Sequence, residues 1–165
     1  MYARSLLKNY LDLQGVSYQH HVHPTAITAR QLAIAEHVPG SMVAKTVVIK
    51  ADGEFVMAVL PGSTRVHLHA LRNALAAGSL RLALEVEFQN LFPDADVGAM
   101  PPFGNLYEVP VCAEELLARD EEIVFTAGTH EDSIRMRYQD YSRLVKPRVC
   151  SFANPRRASR STDGS

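Results

Sequence analysis

The run Val43-Ala44-Lys45-Thr46-Val47-Val48-Ile49-Lys50, followed by Ala51-Asp52-Gly53-Glu54 and Phe55-Val56-Met57-Ala58-Val59-Leu60, constrains this chain more than any other stretch. Two segments rich in β-branched residues flank an Asp-Gly pair. Asp and Gly tolerate the positive φ angles of a tight turn, so the run predicts a β-hairpin whose strands are apolar on both faces. Side chains alternate along a strand, so Lys45 shares a face with Val47 and Ile49, and its ammonium rides on a stem that starts inside an apolar layer. Such a lysine either snorkels to water from the first turn of the strand or stands at a cleft mouth holding an anion such as a phosphate.

With 165 residues, 47% hydrophobic and 21% charged, the chain has the size and mix of one globular domain. A formal net charge of −1 gives no global attraction for nucleic acid, so any RNA contact has to come from a local basic patch. Cys112 and Cys150 lie far apart in sequence without a Cys-x-x-Cys pair, which fits a reducing compartment and offers neither a zinc nor a disulfide framework. Charges interrupt the first twelve residues too often for a signal peptide, and no apolar run approaches membrane-spanning length. The expectation is a soluble cytoplasmic protein.

Leu7, Tyr10 and Leu11 ahead of Gly15 predict a short amphipathic helix, and Val16 to Val22 alternates as a strand does. Thr28 with Gln31 forms a capping box, with Ile27 and Leu32 placed as a hydrophobic staple, so a second helix is expected to start at Thr28 and end before Val38-Pro39-Gly40. Beyond the hairpin, the polar stretch Ser63-Thr64-Arg65 leads to a helix around Leu68, Leu71 and Leu75. Arg81 to Ala83 suits a short strand, and Leu84, Phe88 and Leu91 a helix ended by Pro93. From Asp94 to Gly104, two glycines and two prolines rule out regular structure. Strands are expected over Leu106–Cys112, Ile123–Ala127 and around Ile134 and Met136, with helical turns at Glu114–Ala118 and around Tyr141 and Leu144. Asn154 to Ser165, rich in Pro, Arg and Ser, is expected to be a mobile tail. The mixture predicts an α/β (α+β) domain with a mixed, mainly antiparallel sheet flanked by helices.

Three places stand out chemically besides Lys45. The loop Gly98-Ala99-Met100-Pro101-Pro102-Phe103-Gly104 is stiff at its prolines and open at its glycines, so it either aims backbone N–H groups at an oxyanion or phosphate or serves as a Pro-rich connector. Gly128-Thr129-His130 places a histidine just past a strand end, as a general base, a donor to substrate or a satisfied surface side chain. His20, His21 and His23 invite a metal, but on a strand His20 and His21 point to opposite faces and no second cluster supplies ligands, so no metal and no cofactor are expected. Apolar neighbours mark the Cys112 and Cys150 thiols as inert residues and not nucleophiles. Nucleophile-elbow, P-loop and dinucleotide fingerprints are absent, so covalent catalysis lacks a candidate.

Together, Ala44-Lys45-Thr46-Val47-Val48, the Gly98–Gly104 loop and Ala127-Gly128-Thr129-His130 resemble the YbaK family, also called the prolyl-tRNA synthetase-associated editing domain. The likeness runs from the N-terminal helix to about Phe152. It implies a single editing domain over residues 1–153 built on a strongly bent mixed sheet, with 154–165 as a tail, acting as a deacylase that hydrolyses the ester of a mischarged tRNA. Carried over by position, Lys45, Gly98, Pro102 and His130 match the family's catalytic positions. Thr46, Ala99, Met100, Pro101, Phe103, Gly104, Gly128 and Thr129 are then expected to bind substrate.

An aminoacyl ester is already reactive, so such an enzyme need only hold the terminal adenosine, stabilise the oxyanion and admit a water. On this reading Lys45 takes the terminal phosphate or ribose region and amides near Gly98 to Pro102 grip the acyl carbonyl. His130 positions water or the ribose, while Met100, Pro101 and Phe103 shape a pocket for the misactivated residue. The whole is expected to form one pocket sized for an aminoacylated adenosine. The expected partner is the tRNA acceptor end, with an aminoacyl-tRNA synthetase as a further one and no membrane. Arg156, Arg157 and Arg160 either add phosphate contacts or only solubilise the chain end. A non-catalytic tRNA-end or nucleotide-binding module, or a hydrolase of small aminoacyl esters, stands as the alternative.

Overall fold

The computed structural model describes residues 3–155. The expected hairpin is its centre: strands β2 (Ala44–Ala51) and β3 (Glu54–Pro61) pair antiparallel, with Ala51 opposite Glu54. Asp52 (φ 51°) and Gly53 (φ 82°) form the two-residue turn, both in the left-handed region that this turn demands. Three further strands, β5 (Leu80–Leu82), β6 (Val111–Glu114) and β9 (Arg148–Cys150), extend the hairpin into a five-stranded sheet of order β5-β2-β3-β6-β9. The β3–β6 and β6–β9 pairs are parallel and the other two antiparallel.

A second, antiparallel sheet has the order β1-β8-β7, from Tyr18–Val22, Asp132–Arg137 and Glu122–Thr126. A parallel bridge between Val43 and Val124 joins it to the start of β2. The architecture is the expected mixed α/β fold with mainly antiparallel sheets flanked by helices.

The hairpin is apolar on both faces because both faces are covered. Val48, Met57 and Val59 pack into the main core with Leu7 and Leu11 of helix α1 (Ala3–Leu13) and Tyr141 of helix α5 (Tyr138–Val145). Ile49, Ala58 and Leu60 pack on the other side against Leu71 of helix α3 (Leu68–Ala74) and Phe152. Helix α2 (Ala29–Glu36) starts with the predicted capping box: the Gln31 N–H donates to Thr28 Oγ1 at 3.0 Å, and the Thr28 N–H to Gln31 Oε1 at 3.2 Å. Leu32 is buried, but Ile27 stays 59% exposed, so the staple does not close.

Four expectations shift. The strand expected over Leu106–Cys112 starts only at Val111, because the Gly104 carbonyl accepts the N–H groups of both Tyr107 and Val109 and curls the chain into a 3-10 turn over Gly104–Leu106. Thr64–Val66, expected as a lead-in, is a strand (β4) paired with β10 (Ala153–Pro155). Asn154 and Pro155 therefore belong to a strand and not to a tail; Arg156 to Ser165, with Arg157 and Arg160, lie outside the described residues. The helix expected over Leu84–Leu91 is a single turn, α4 (Glu85–Phe88).

Buried Glu114, at the end of β6, ties this last segment down. One carboxylate oxygen accepts from Phe152 N at 2.6 Å and Ala153 N at 2.9 Å, and the other from Leu116 N at 2.7 Å.

Candidate active site

Lys45 lies at the open end of β2, opposite Leu60. Its ammonium donates to the Thr64 carbonyl of β4, so the half-buried side chain is held at the sheet end and does not sweep through solvent. Beside it opens a cavity of about 170 Å3. Its floor is the start of β2, including Val43, Lys45 and Thr46; one wall is the N-terminal turn of α2, with Ile27, Thr28 and Leu32; the far rim is Gly98 and Thr126. The ammonium and the glycine of the Pro-rich loop thus share one pocket. Its volume is close to the ~150 Å3 of engineered cavities that hold a benzene ring, which is room for an amino acid but not for a nucleoside. The cavity is thus smaller than the pocket for a whole aminoacylated adenosine expected from sequence, and it opens to solvent.

The two loops named from sequence are laced together. The Gly128 N–H donates to the Ala99 carbonyl and the Asp96 N–H to the Gly128 carbonyl, both at 2.9 Å. His130 Nε2 lies 3.2 Å from the Val97 carbonyl oxygen. A carbonyl only accepts, so in the neutral ring Nε2 carries the proton and Nδ1 the lone pair. That Nδ1 is buried and has no hydrogen-bond partner among the described residues. Gly98 has φ +88°, and a Cβ there would stand 3.4 Å from His130 Cε1, so the glycine supplies both the turn and the space for the imidazole.

The rest of the loop divides. Gly98 N–H donates at 3.2 Å to the Met100 thioether, a weak acceptor that a substrate oxygen displaces easily, whereas Ala99 N–H is committed to Asp96 O at 2.9 Å. Prolines have no N–H, so of Gly98 to Pro102 the Gly98 and Met100 amides are the ones with no backbone carbonyl partner among the described residues. Pro101 and Pro102 are buried, and the Tyr141 hydroxyl donates to the Pro102 carbonyl at 2.7 Å. Phe103 is fully buried, edge-on to Tyr141 with ring centroids 5.2 Å apart, and Met100 belongs to the same core. Gly104 is needed for packing, since a Cβ there would meet the Val109 carbonyl oxygen at 2.3 Å. Met100, Pro101 and Phe103 thus brace the loop from behind, while the pocket wall they were expected to form comes from α2.

Sequence reasoning found the capping box but not its place in the pocket wall, because a capping box marks only a helix start, and it missed Thr126, which carries no motif. The three histidines diverge: His20 Nε2 lies 2.7 Å from Asp132 Oδ1, His21 Nδ1 2.7 Å from Glu36 Oε1, and His23 Nδ1 2.8 Å from Pro24 O. Cys112 is buried and burial pushes its thiol pKa up; it and Cys150, from the neighbouring strand β9, are free thiols. Among the described residues no helix is long and apolar enough to cross a membrane.

Of the site residues expected from sequence, Lys45, Thr46 and Gly98 line one cavity, whereas His130, on the turn between β7 and β8, packs on Gly98 without lining it. The chain belongs to the YbaK/ProX aminoacyl-tRNA editing domain family, which matches residues 23–144. It is 28% identical over 144 residues to a proline–tRNA ligase of Leuconostoc citreum (strain KM20), covering 86% of this chain but only a quarter, 25%, of the ligase. It is 30% identical over 114 residues to the multifunctional Ser/Thr-tRNA deacylase ProXp-y of Escherichia coli (strain K12), covering 66% of this chain and 68% of that protein. In fold it is similar to hypothetical protein APE2540 (TM-score 0.82, 16% identity, covering 90% and 99% of the two chains). It is also similar to a solved structure described as a candidate trans-editing enzyme for prolyl tRNA synthetase (TM-score 0.81, 19% identity, covering 92% and 97%).

Proposed function

We propose that this editing domain is a deacylase that hydrolyses the ester of mischarged aminoacyl-tRNA in trans. The observation that carries the reading is the single amino-acid-sized cavity shared by Lys45 and Gly98. Lys45 exchanges the Thr64 carbonyl for a phosphate or ribose oxygen of the terminal adenosine, as a point charge. The acyl group enters the cavity between β2 and α2, with Ile27, Leu32 and Val43 limiting its size, and its carbonyl oxygen turns to the Gly98 amide in place of the Met100 sulfur. Water attacks the acyl carbon, the ester C–O bond breaks, and the water's proton passes to the departing ribose oxygen. The neighbouring ribose hydroxyl takes that proton in transit, and His130, packed on Gly98, helps position the water or the ribose. Lys45, Gly98, Pro102 and His130 are the proposed catalytic set, Pro102 only as the brace of the loop; Thr46, Ala99, Gly128 and Thr129 frame it.

The relatives supply the first substrates to try. One is named for seryl and threonyl tRNA and another is a proline–tRNA ligase, so serine and threonine, on the tRNA for proline among others, head the panel. The proline–tRNA ligase among the relatives supports a synthetase as a further partner. The test is to incubate the protein with mischarged tRNAs and with free aminoacyl esters and to follow amino-acid release. Release from particular tRNAs supports editing; binding without release, or equal release from free esters, overturns it in favour of a binding module or a small-molecule esterase.

A further inference from the structure

The turn that presents His130 is held from behind by a buried carboxylate that no motif marks. Asp132 is the first residue of β8 and only 4% exposed. It lies diagonally across the β1–β8 ladder from His20, on one face of the sheet: His20 is opposite Ile134, and Val22 opposite Asp132. Its Oδ1 is 2.7 Å from His20 Nε2, and its Oδ2 accepts the Thr129 hydroxyl at 2.6 Å. Thr129 Oγ1 in turn accepts the Glu131 N–H at 3.1 Å, and the Asp132 carbonyl accepts the Ala127 N–H at 3.0 Å. The His130 carbonyl is fixed separately by the Ala26 N–H at 2.9 Å. The residue between Gly128 and His130 thus has its side chain locked to a buried anion, which is itself bridged to a second strand.

We infer that Asp132 is a positioning residue: through Thr129 and His20 it sets the Gly128–His130 turn so that the imidazole stands over Gly98 with Nε2 on the Val97 carbonyl, and so fixes the glycine that lines the cavity. The inference rests on the proposed deacylation, in which His130 takes part, but the geometry is independent of it. A buried carboxylate at a strand end costs desolvation that a simple turn does not require, since Asn or Ser caps such turns without a buried charge. Charge-assisted hydrogen bonds are shorter and about twice as strong as neutral ones, so a carboxylate shared by Thr129 and His20 holds the turn more firmly than a neutral cap does.

The test is a double-mutant cycle on deacylation of mischarged tRNA with Asp132→Asn, His130→Ala and the pair, joined to 15N NMR of the His130 ring. Asp132→Asn should lower kcat on the order of tenfold to a hundredfold with KM within twofold, as loss of alignment does. The double variant should be no slower than His130→Ala alone. The His130 nitrogens of the single variant should lose the signature of one Nε2-protonated tautomer. Thr129→Val, which removes one donor and leaves the carboxylate on His20, should reproduce the effect in milder form and covers the case in which Asp132→Asn fails to fold. Multiplying effects in the cycle, or an unchanged His130 spectrum in both variants, overturn the assignment. If the wild type releases no amino acid, the deacylase reading fails by itself, while the spectra still decide whether Asp132 orients His130.

Discussion

Replacing Glu114 by Gln tests how the chain end is fixed to the sheet. In the native protein this buried carboxylate accepts three backbone N–H groups: Phe152 and Ala153 on one oxygen, at 2.6 and 2.9 Å, and Leu116 on the other, at 2.7 Å. Glutamine keeps the shape but has one acceptor oxygen. Whichever way it turns, an NH2 group faces at least one backbone donor. Hydrogen bonds to a charged group contribute about 1.5–3 kcal/mol each, so losing one and weakening the others costs about 2–4 kcal/mol. At about 2–4 °C per kcal/mol for a chain of this size, Tm falls by roughly 5–15 °C, read by circular dichroism melting and by denaturant titration with an unchanged m-value. Glu114→Ala, which leaves all three donors without their acceptor, should fall further. The loss should also reach the site, because β10 pairs with β4 and the Thr64 carbonyl of β4 holds Lys45. A Glu114→Gln protein melting within 1 °C of the wild type refutes the reasoning.

Gly98→Ala forces a φ of +88° on a residue with a Cβ, a strain of about 1–2 kcal/mol, and sets that Cβ 3.4 Å from His130; melting should drop by a few degrees while amino-acid release falls far more. Gly104→Ala drives a Cβ to 2.3 Å from the Val109 carbonyl oxygen, a clash with rigid backbone, so the variant should be recovered unfolded or with Tm lowered by roughly 5 °C or more. Acid sensitivity has an assignable source. The Gly78 and Ser79 N–H groups hold the Asp52 carboxyl below the usual range, and the Arg81 guanidinium holds Glu87 down at about 2. Depressed carboxylates stabilise the fold above their unfolded pKa of about 4 and lose that contribution as pH falls from about 4.5 toward 2. Glu87→Gln should therefore narrow the Tm difference between pH 5 and pH 2.5; an unaltered difference refutes the assignment.

The parts of this protein that could be read from sequence are those in which chemistry and conformation coincide locally. Asp52-Gly53 between β-branched runs can do little but turn, and Thr28 with Gln31 can do little but start a helix. Long-range pairing left no such mark. Thr64–Val66 is a strand only because Ala153–Pro155 comes back to it, held by a glutamate 38 residues before Phe152. Gly104 and Phe103 seemed part of the binding loop because they sit in its motif, yet their demands are steric and face the core. The pocket wall of Ile27, Thr28 and Leu32 was hidden because an exposed isoleucine next to a helix cap reads as a staple until the cavity beside it is seen. Asp132 was silent for the same reason: its partner His20 lies 112 positions away.

The account stands on an ammonium and a glycine turn acting on one acyl ester across one small cavity. Single-turnover release of the amino acid from a mischarged tRNA by wild type and by Lys45→Met, a side chain of similar reach without charge, tests it most directly. Loss of a charge-assisted bond predicts kcat/KM lower on the order of tenfold to a hundredfold with Tm within a few degrees of wild type. Release within twofold of wild type by a folded Lys45→Met protein contradicts the account.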